Sequence, residues 1–303
     1  MILLGILAAS GAGGITPGVA GYVAGGDLAT ATVDKFAFPS DSRTTLGTGL
    51  SAATKHVRGM SSADIAGYTG GGVTGSYVNT VNKFAFPSDS RTTLATGLSS
   101  NRGYMVGFAN SGTAGYFGGG LTPYFDTVDK FAFSNDSRTT LATGLSSSRR
   151  SIAGMQNQDV AGYAAGGYTG SRVTTVDKFA FPSDSRTTLG TGLSAATLGA
   201  VGFSNKGVAG YVAGGSVSGV VATVNKFAFP SDSRTTLGTG LSDSRYSLAG
   251  MSDSGTAGYA AGGENASRVS TVDKFAFPSD SRTTLASGLS SARSSAAGFQ
   301  DAV

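Results

Sequence analysis

Apolar residues along this chain come in short runs, each closed by a turn signal, and the same runs return many times. In residues 151–193 the first run is Ser151-Ile152-Ala153-Gly154-Met155. The second starts at Gly162-Tyr163 and ends in the doublet Gly166-Gly167. In the third, Asp177, Phe179 and Phe181 alternate with Val176, Lys178 and Ala180. A period of two is the pleat of a strand, and Val, Thr and Phe favour it. Pro182-Ser183-Asp184-Ser185 then reads as a turn, because Pro suits the second turn position and Ser or Asp side chains bond nearby backbone. The fourth run is RTTLGTGL, residues 186–193. No stretch has the 3.6-residue period of a capped amphipathic helix, so the chain is predicted to be all-β.

The unit repeats six times. Gly-Tyr pairs start at Gly21, Gly67, Gly115, Gly162, Gly210 and Gly258, and KFAF strings at Lys35, Lys83, Lys130, Lys178, Lys226 and Lys274. Six units of four antiparallel strands, about 48 residues apart, predict a six-bladed β-propeller. The termini provide an independent check. Nothing before Gly21 matches a first run, whereas Ser295-Ala296-Ala297-Gly298-Phe299 is a first run with no Gly-Tyr after it. The last strand is therefore expected to complete the blade begun at Gly21 and close the ring. This divides the chain into residues 1–17, an apolar attachment segment, and residues 18–303, the propeller.

Composition first looks like a warning, because 48 of 303 residues are Gly. Yet 40% of the chain is hydrophobic and the apolar runs recur on schedule, so a core can be buried. The repeat gives the glycines a role: small residues suit crowded first strands near the axis, and the doublets allow conformations other residues avoid. Charge adds little. The net value is +4, and no basic run is longer than Arg149-Arg150, which matches neither a nucleic-acid-binding face nor a polybasic membrane anchor.

The Gly doublet after an apolar-aromatic run, the aromatic third strand and the Arg just before the innermost strand resemble kelch repeats. That Arg is Arg102, Arg149, Arg245 or Arg293, with Thr54 and Thr197 in the two remaining units. The fourth-strand Trp common in kelch units is absent; this chain has Thr-Thr-Leu there. The resemblance implies the propeller fold and little about function, since kelch propellers include oxidases, adaptors and structural proteins. In style, near-identical repeats behind a short apolar leader also resemble kelch-type proteins of bacteriophages, which are taken for tail or other virion appendage components.

The six copies differ mainly in one place. Only the stretch between Gly-Tyr and KFAF varies in length, and its chemistry ranges from DLATA to ENASRVS. In an up-and-down blade this 2–3 loop shares a face with the 4–1 connection, which varies too. The 3–4 turns of the opposite face are nearly constant, five PSDSR and one SNDSR. Binding usually resides in loops on a rigid scaffold. The 2–3/4–1 face is thus the candidate interaction surface, with Tyr77, Tyr104, Tyr124, Phe125, Tyr168, Arg172, Tyr246 and Arg268 as its aromatic and basic members. Drift in unconstrained loops is the competing explanation.

Catalytic chemistry finds little support. His56 is the only histidine, no nucleophile-elbow context accompanies it, and a solvated polar role is expected. Without Cys and with one His there is no zinc set, and the Cys-dependent copper chemistry of kelch-type oxidases has no counterpart. Most acidic residues occupy equivalent positions of different units, which spreads them around a ring instead of pairing them across one sugar bond. Calcium in the 3–4 turns would need oxygen ligands beyond the one Asp; that Asp is expected to stabilise the turn and pair with the Arg two residues on. Gly-rich strings such as Gly70-Gly71-Gly72 precede a strand and not the helix a phosphate loop requires. No enzyme activity, cofactor or metal is expected.

The leader, with Ile2, Leu3, Leu4, Ile6 and Leu7, is too short to span a bilayer and has no basic n-region. It is expected to dock on the propeller itself or on a partner subunit. The leading expectation is a non-enzymatic phage virion protein, a tail fibre or appendage component. The leader would attach it to other virion proteins, and the propeller would face a host surface glycan or protein. A capsid-decorating protein and a carbohydrate- or protein-binding kelch module of a cell are the alternatives.

Overall fold

The computed structural model describes residues 19–301. These form strands β1 (Ala20–Ala24), β2 (Val33–Ala37) and β3 (Ser42–Thr45), then five further groups of four strands at residues 58–93, 106–140, 153–188, 201–236 and 249–284. The last strand, β24 (Ala297–Asp301), pairs antiparallel with β1, setting Phe299 opposite Tyr22 and Gly298 opposite Val23. Six antiparallel four-stranded sheets result, and the C-terminal strand completes the first. The fold is a six-bladed propeller closed as the repeat count requires. We number the blades from the one containing β1. The leader lies outside the described residues.

Two strand limits differ from the sequence pattern. First strands begin later, at Ala153 and not Ser151 in blade 4, because Ser151 has a φ of 57° and turns the chain out of the extended region. Fourth strands are no longer than Ser-Arg-Thr-Thr, as in Ser185–Thr188, and in blade 3 only Arg138–Thr140. The following Leu-Gly-Thr-Gly-Leu leaves the ladder, and its second Leu (Leu193) is buried under the sheet.

At the axis, Gly59, Gly107, Gly154, Gly202, Gly250 and Gly298 stand in a closed circle. A Cβ on any of them would collide with the carbonyl of the glycine in the preceding blade. No other residue fits this approach of backbones.

Neighbouring blades are joined by a contact repeated six times. The Tyr of each Gly-Tyr pair and the Lys of each KFAF string reach the Asp in the 3–4 turn of the next blade. Tyr22 and Lys35 meet Asp89 at 2.8 and 2.7 Å, and Tyr259 and Lys274 of blade 6 meet Asp41 of blade 1 at 2.8 and 2.6 Å. This corrects the expected pairing of these aspartates with the Arg two residues on. The turn holds its Asp in the left-handed region, φ near 57°, with its N–H bonded back to the alanine that ends the third strand. That geometry aims the carboxylate at the next blade. The Arg instead donates to a Thr of its own strand, as Arg43 does to Thr45.

A second set of charges lies wholly inside the blades. Arg293 pairs with Asp34 at 2.8 Å, Arg102 with Asp129 at 2.8 Å, Arg149 with Asp177 at 3.0 Å, and Arg245 with Asp273. All eight side chains are at most 1% exposed. Burial works against ionisation of Asp34, but the Ser290 N–H, the Arg293 guanidinium and two hydroxyls overcome it and lower its pKa. In blades 2 and 5 the Arg is replaced by Thr54 and Thr197, and the Asp by Asn82 and Asn225. The two substitutions occur together because a carboxylate left there alone would be an uncompensated buried charge.

The protein thus contains its own double-mutant cycle. Arg149→Thr alone is expected to destabilise by about 3–5 kcal/mol. Arg149→Thr with Asp177→Asn, which recreates the pair found in blades 2 and 5, should recover most of that loss in urea unfolding. Equal losses in single and double variants would show that the charge pair is not what links the positions.

Candidate functional site

The 4–1 connections reach the axis above the glycine circle, and there they form a second ring. His56, Tyr104, Ser151, Gly199, Ser247 and Ser295 occupy equivalent positions, all with φ between 57° and 67°. Each N–H donates to the carbonyl of the residue before it in the ring, at 2.7–3.0 Å, and the N–H of His56 closes the circle on Ser295. Left-handed backbone is uncommon for His and Tyr and persists only where the surroundings enforce it. Six mutually dependent hydrogen bonds supply that enforcement.

This ring is the floor of a cup of about 480 Å³ on the 2–3/4–1 face. Its wall is the residue before each floor position, among them Lys55, Arg150, Leu198 and Tyr246. These pair by isolated bridges with the first residue after the Gly doublets: Lys55 with Val73, Arg150 with Tyr168, Leu198 with Ser216, and Tyr246 with Glu264. The doublets make this possible, since both glycines take positive φ (66° and 119° at Gly119 and Gly120) and turn the chain back toward the axis.

The cup is polarised. Asp27 and Glu264, from blades 1 and 6, both lie within reach of the single Ser294 O–H, at 3.0 and 3.1 Å from its Oγ. Arg268 lies 3.7 Å from Asp27 and 3.9 Å from Glu264. A hydrogen bond to Glu264, with burial second, pushes the Tyr246 hydroxyl up to about 12. On the other side, from blades 2 to 4, are Lys55, Arg150 and the stacked rings of His56 and Tyr104, whose centroids are 3.8 Å apart. The Tyr104 hydroxyl and His56 Nε2 are 2.8 Å apart.

His56 is 9% exposed, so the solvated role expected of it is corrected: the left-handed turn folds its ring inward against Tyr104. Burial, with Arg58, Lys55 and Arg150 nearby, lowers its pKa to about 3, leaving it neutral at physiological pH. Asp27, 3.7 Å away, does not offset this.

Of the residues expected on this face, Tyr104, Tyr246 and Arg268 line the cup. Tyr168 stands behind the wall, its ring 5.1 Å from the Arg150 guanidinium, and Tyr124 meets Tyr168 edge-on at 6.2 Å. Tyr77 packs beside Gly103. Phe125 covers the guanidinium of the buried Arg102 at 5.4 Å, a structural position. Arg172 is exposed and reaches Ser216 Oγ of the next blade. Asp27, Lys55, Arg150 and Glu264 were not singled out by sequence. Lys55 and Arg150 would appear on aligning the six residues before the left-handed position, and Asp27 and Glu264 on aligning the six after the Gly doublets, because neither set shares a class. Among the described residues, no group of three or more His, Asp or Glu side chains comes together as a metal site would need.

No protein-family model matches the chain, and no curated protein matches it. Among solved structures it is similar to one described as "Structure of YjhT", with a TM-score of 0.70 and 14% identity over 89% of this chain and 98% of that one. At that identity the likeness is one of fold.

Because the unfolded chain binds a proton on His56 near pH 6.5 and the folded chain only near 3, this residue's contribution is complete above pH 6.5. Stability is lost as pH falls from 6.5 toward 3, by up to ~1.4 kcal/mol per pH unit. In His56→Gln that part of the acid slope should vanish. The NMR signals of the imidazole in the native chain should show no protonation between pH 5 and 8; a midpoint near 6.5 would mean the ring is solvated.

Proposed function

We propose that this protein is a non-enzymatic binding propeller, carried as an appendage component of a phage virion, which takes its ligand in the cup above the floor ring. One observation carries the reading. Six blades repeat the same staples and nearly the same 3–4 turns, yet the positions lining the cup hold His, Tyr, Lys, Arg, Asp, Glu, Leu and Ser. Varied chemistry gathered on one concave surface of a repeated scaffold is what a binding site requires.

Aromatic faces with hydrogen-bonding groups on opposite walls suit a hydroxyl-rich ligand such as a surface glycan. The acidic groups already engage Arg268, Ser294 and Tyr246, and a histidine held neutral down to about pH 3 is a weak base, which favours holding over catalysis. The virion placement rests on the resemblance in repeat style to phage kelch-type proteins. In this reading Ile2, Leu3, Leu4, Ile6 and Leu7, which lie outside the described residues, attach the protein to other virion proteins.

On a glycan array the propeller should retain a defined subset of glycans. Tyr104→Ala and Tyr246→Ala should each weaken retention about tenfold or more, as expected for buried aromatic anchors, while Arg172→Ala should not. Unchanged binding in both tyrosine variants would remove the cup from the reading. Antibody to the propeller should label appendages of intact particles in immunogold electron microscopy; particles that carry no label would overturn the virion placement.

A further inference from the structure

Beneath the floor ring, the first strand of blade 2 begins with Arg58 where the other five blades carry Val106, Ala153, Val201, Ala249 or Ala297. It lines a throat of about 60 Å³ between floor ring and glycine circle, otherwise walled by apolar side chains such as Ile152, Leu248 and Ala296. Its one hydrogen bond is from Nη1 to the carbonyl of neighbouring Val57, at 3.0 Å. No carboxylate lies within ion-pair distance of it among the described residues, nor of Lys55 or Arg150 above it. His56 Nδ1 is also buried without a hydrogen-bond partner. The four fully buried arginines, by contrast, each have an Asp, and the two blades that lack this Asp carry Thr in place of that Arg.

From this we infer that the cup recognises the anionic group of its ligand, held by Arg58 from below with Lys55 and Arg150 at the side, while the uncharged remainder lies against His56 and Tyr104. The inference rests on the binding reading above and names the chemical class of the ligand, an acidic sugar. A guanidinium presents paired N–H groups that match a carboxylate or a sulfate. Burial lowers the Arg58 pKa to about 10, which leaves it charged at neutral pH. A cation in an apolar throat opposes folding unless a ligand uses it, and function is a common reason for such a trade. Lys55 and Arg150 line the cup above the throat, so an anion that enters through the cup meets them before Arg58.

The test uses the full chain with glucuronate, glucose 6-sulfate and glucose, followed by calorimetry and by the NMR signals of His56. At least one charged sugar should bind tenfold or more tightly than glucose and shift the His56 signals, and the two charged arms tell carboxylate from sulfate. Arg58→Ala, which installs the residue of blades 1, 4 and 6, should keep the fold, raise the melting temperature of the free protein, and reduce charged-sugar binding at least tenfold. Equal binding of glucose and both charged sugars, or undiminished binding by a folded Arg58→Ala, overturns the anion site and leaves the cup as a neutral-glycan site. Failure of the tyrosine variants to affect binding overturns the cup itself.

Discussion

Six first strands converge on one axis, and at Gly59 and its five equivalents the backbones leave no room for a methyl group. That single steric limit organises the molecule. It sets how far each blade can slide inward, and so whether the Tyr and Lys of one blade reach the Asp of the next. Because the limit is one of backbone, it places no chemical demand on the residues just above. Those residues are free to differ, and they do.

The two sets of charges answer different problems. The Tyr–Lys–Asp staples stand at the margin of the blades, half-solvated, and their value lies in repetition and direction: each is set by a left-handed turn that points at the neighbour. The Arg–Asp pairs are fully buried and obey charge balance strictly, with Thr and Asn replacing both members at once. Against that background Arg58 departs from its five apolar equivalents, and with Lys55 and Arg150 above it has no carboxylate partner among the described residues. Departures from local consistency tend to mark function.

Much of the architecture could be read from residues alone. Period-two alternation in TVDKFAF, the recurring doublets and the unmatched first run at Ser295 led to six blades and to the strand that closes them. The coupled exchange of Arg for Thr and Asp for Asn was also present in the letters, although each series taken separately says nothing about contact. The site was less legible. Tyr124, Phe125 and Arg172 belong to the right face but stand away from the axis, while Lys55, Arg150 and Glu264 sit in the same loops and line the cup. Loop membership does not reveal radial position.

What the sequence determined by itself is whatever depends on repetition and periodicity: strand type, blade number, the constant and the variable face. These follow from local backbone preference and from copy number, and neither needs coordinates. Tertiary structure decided what depends on closure. Only when blade 6 meets blade 1 do Asp27 and Glu264, 237 positions apart, share Ser294, and only then do six N–H groups find six carbonyls around the axis. The same closure turns His56 from a solitary polar residue into a buried ring stacked on Tyr104. The physical reason is that a circle brings residues together by angle and radius, and a linear sequence records neither.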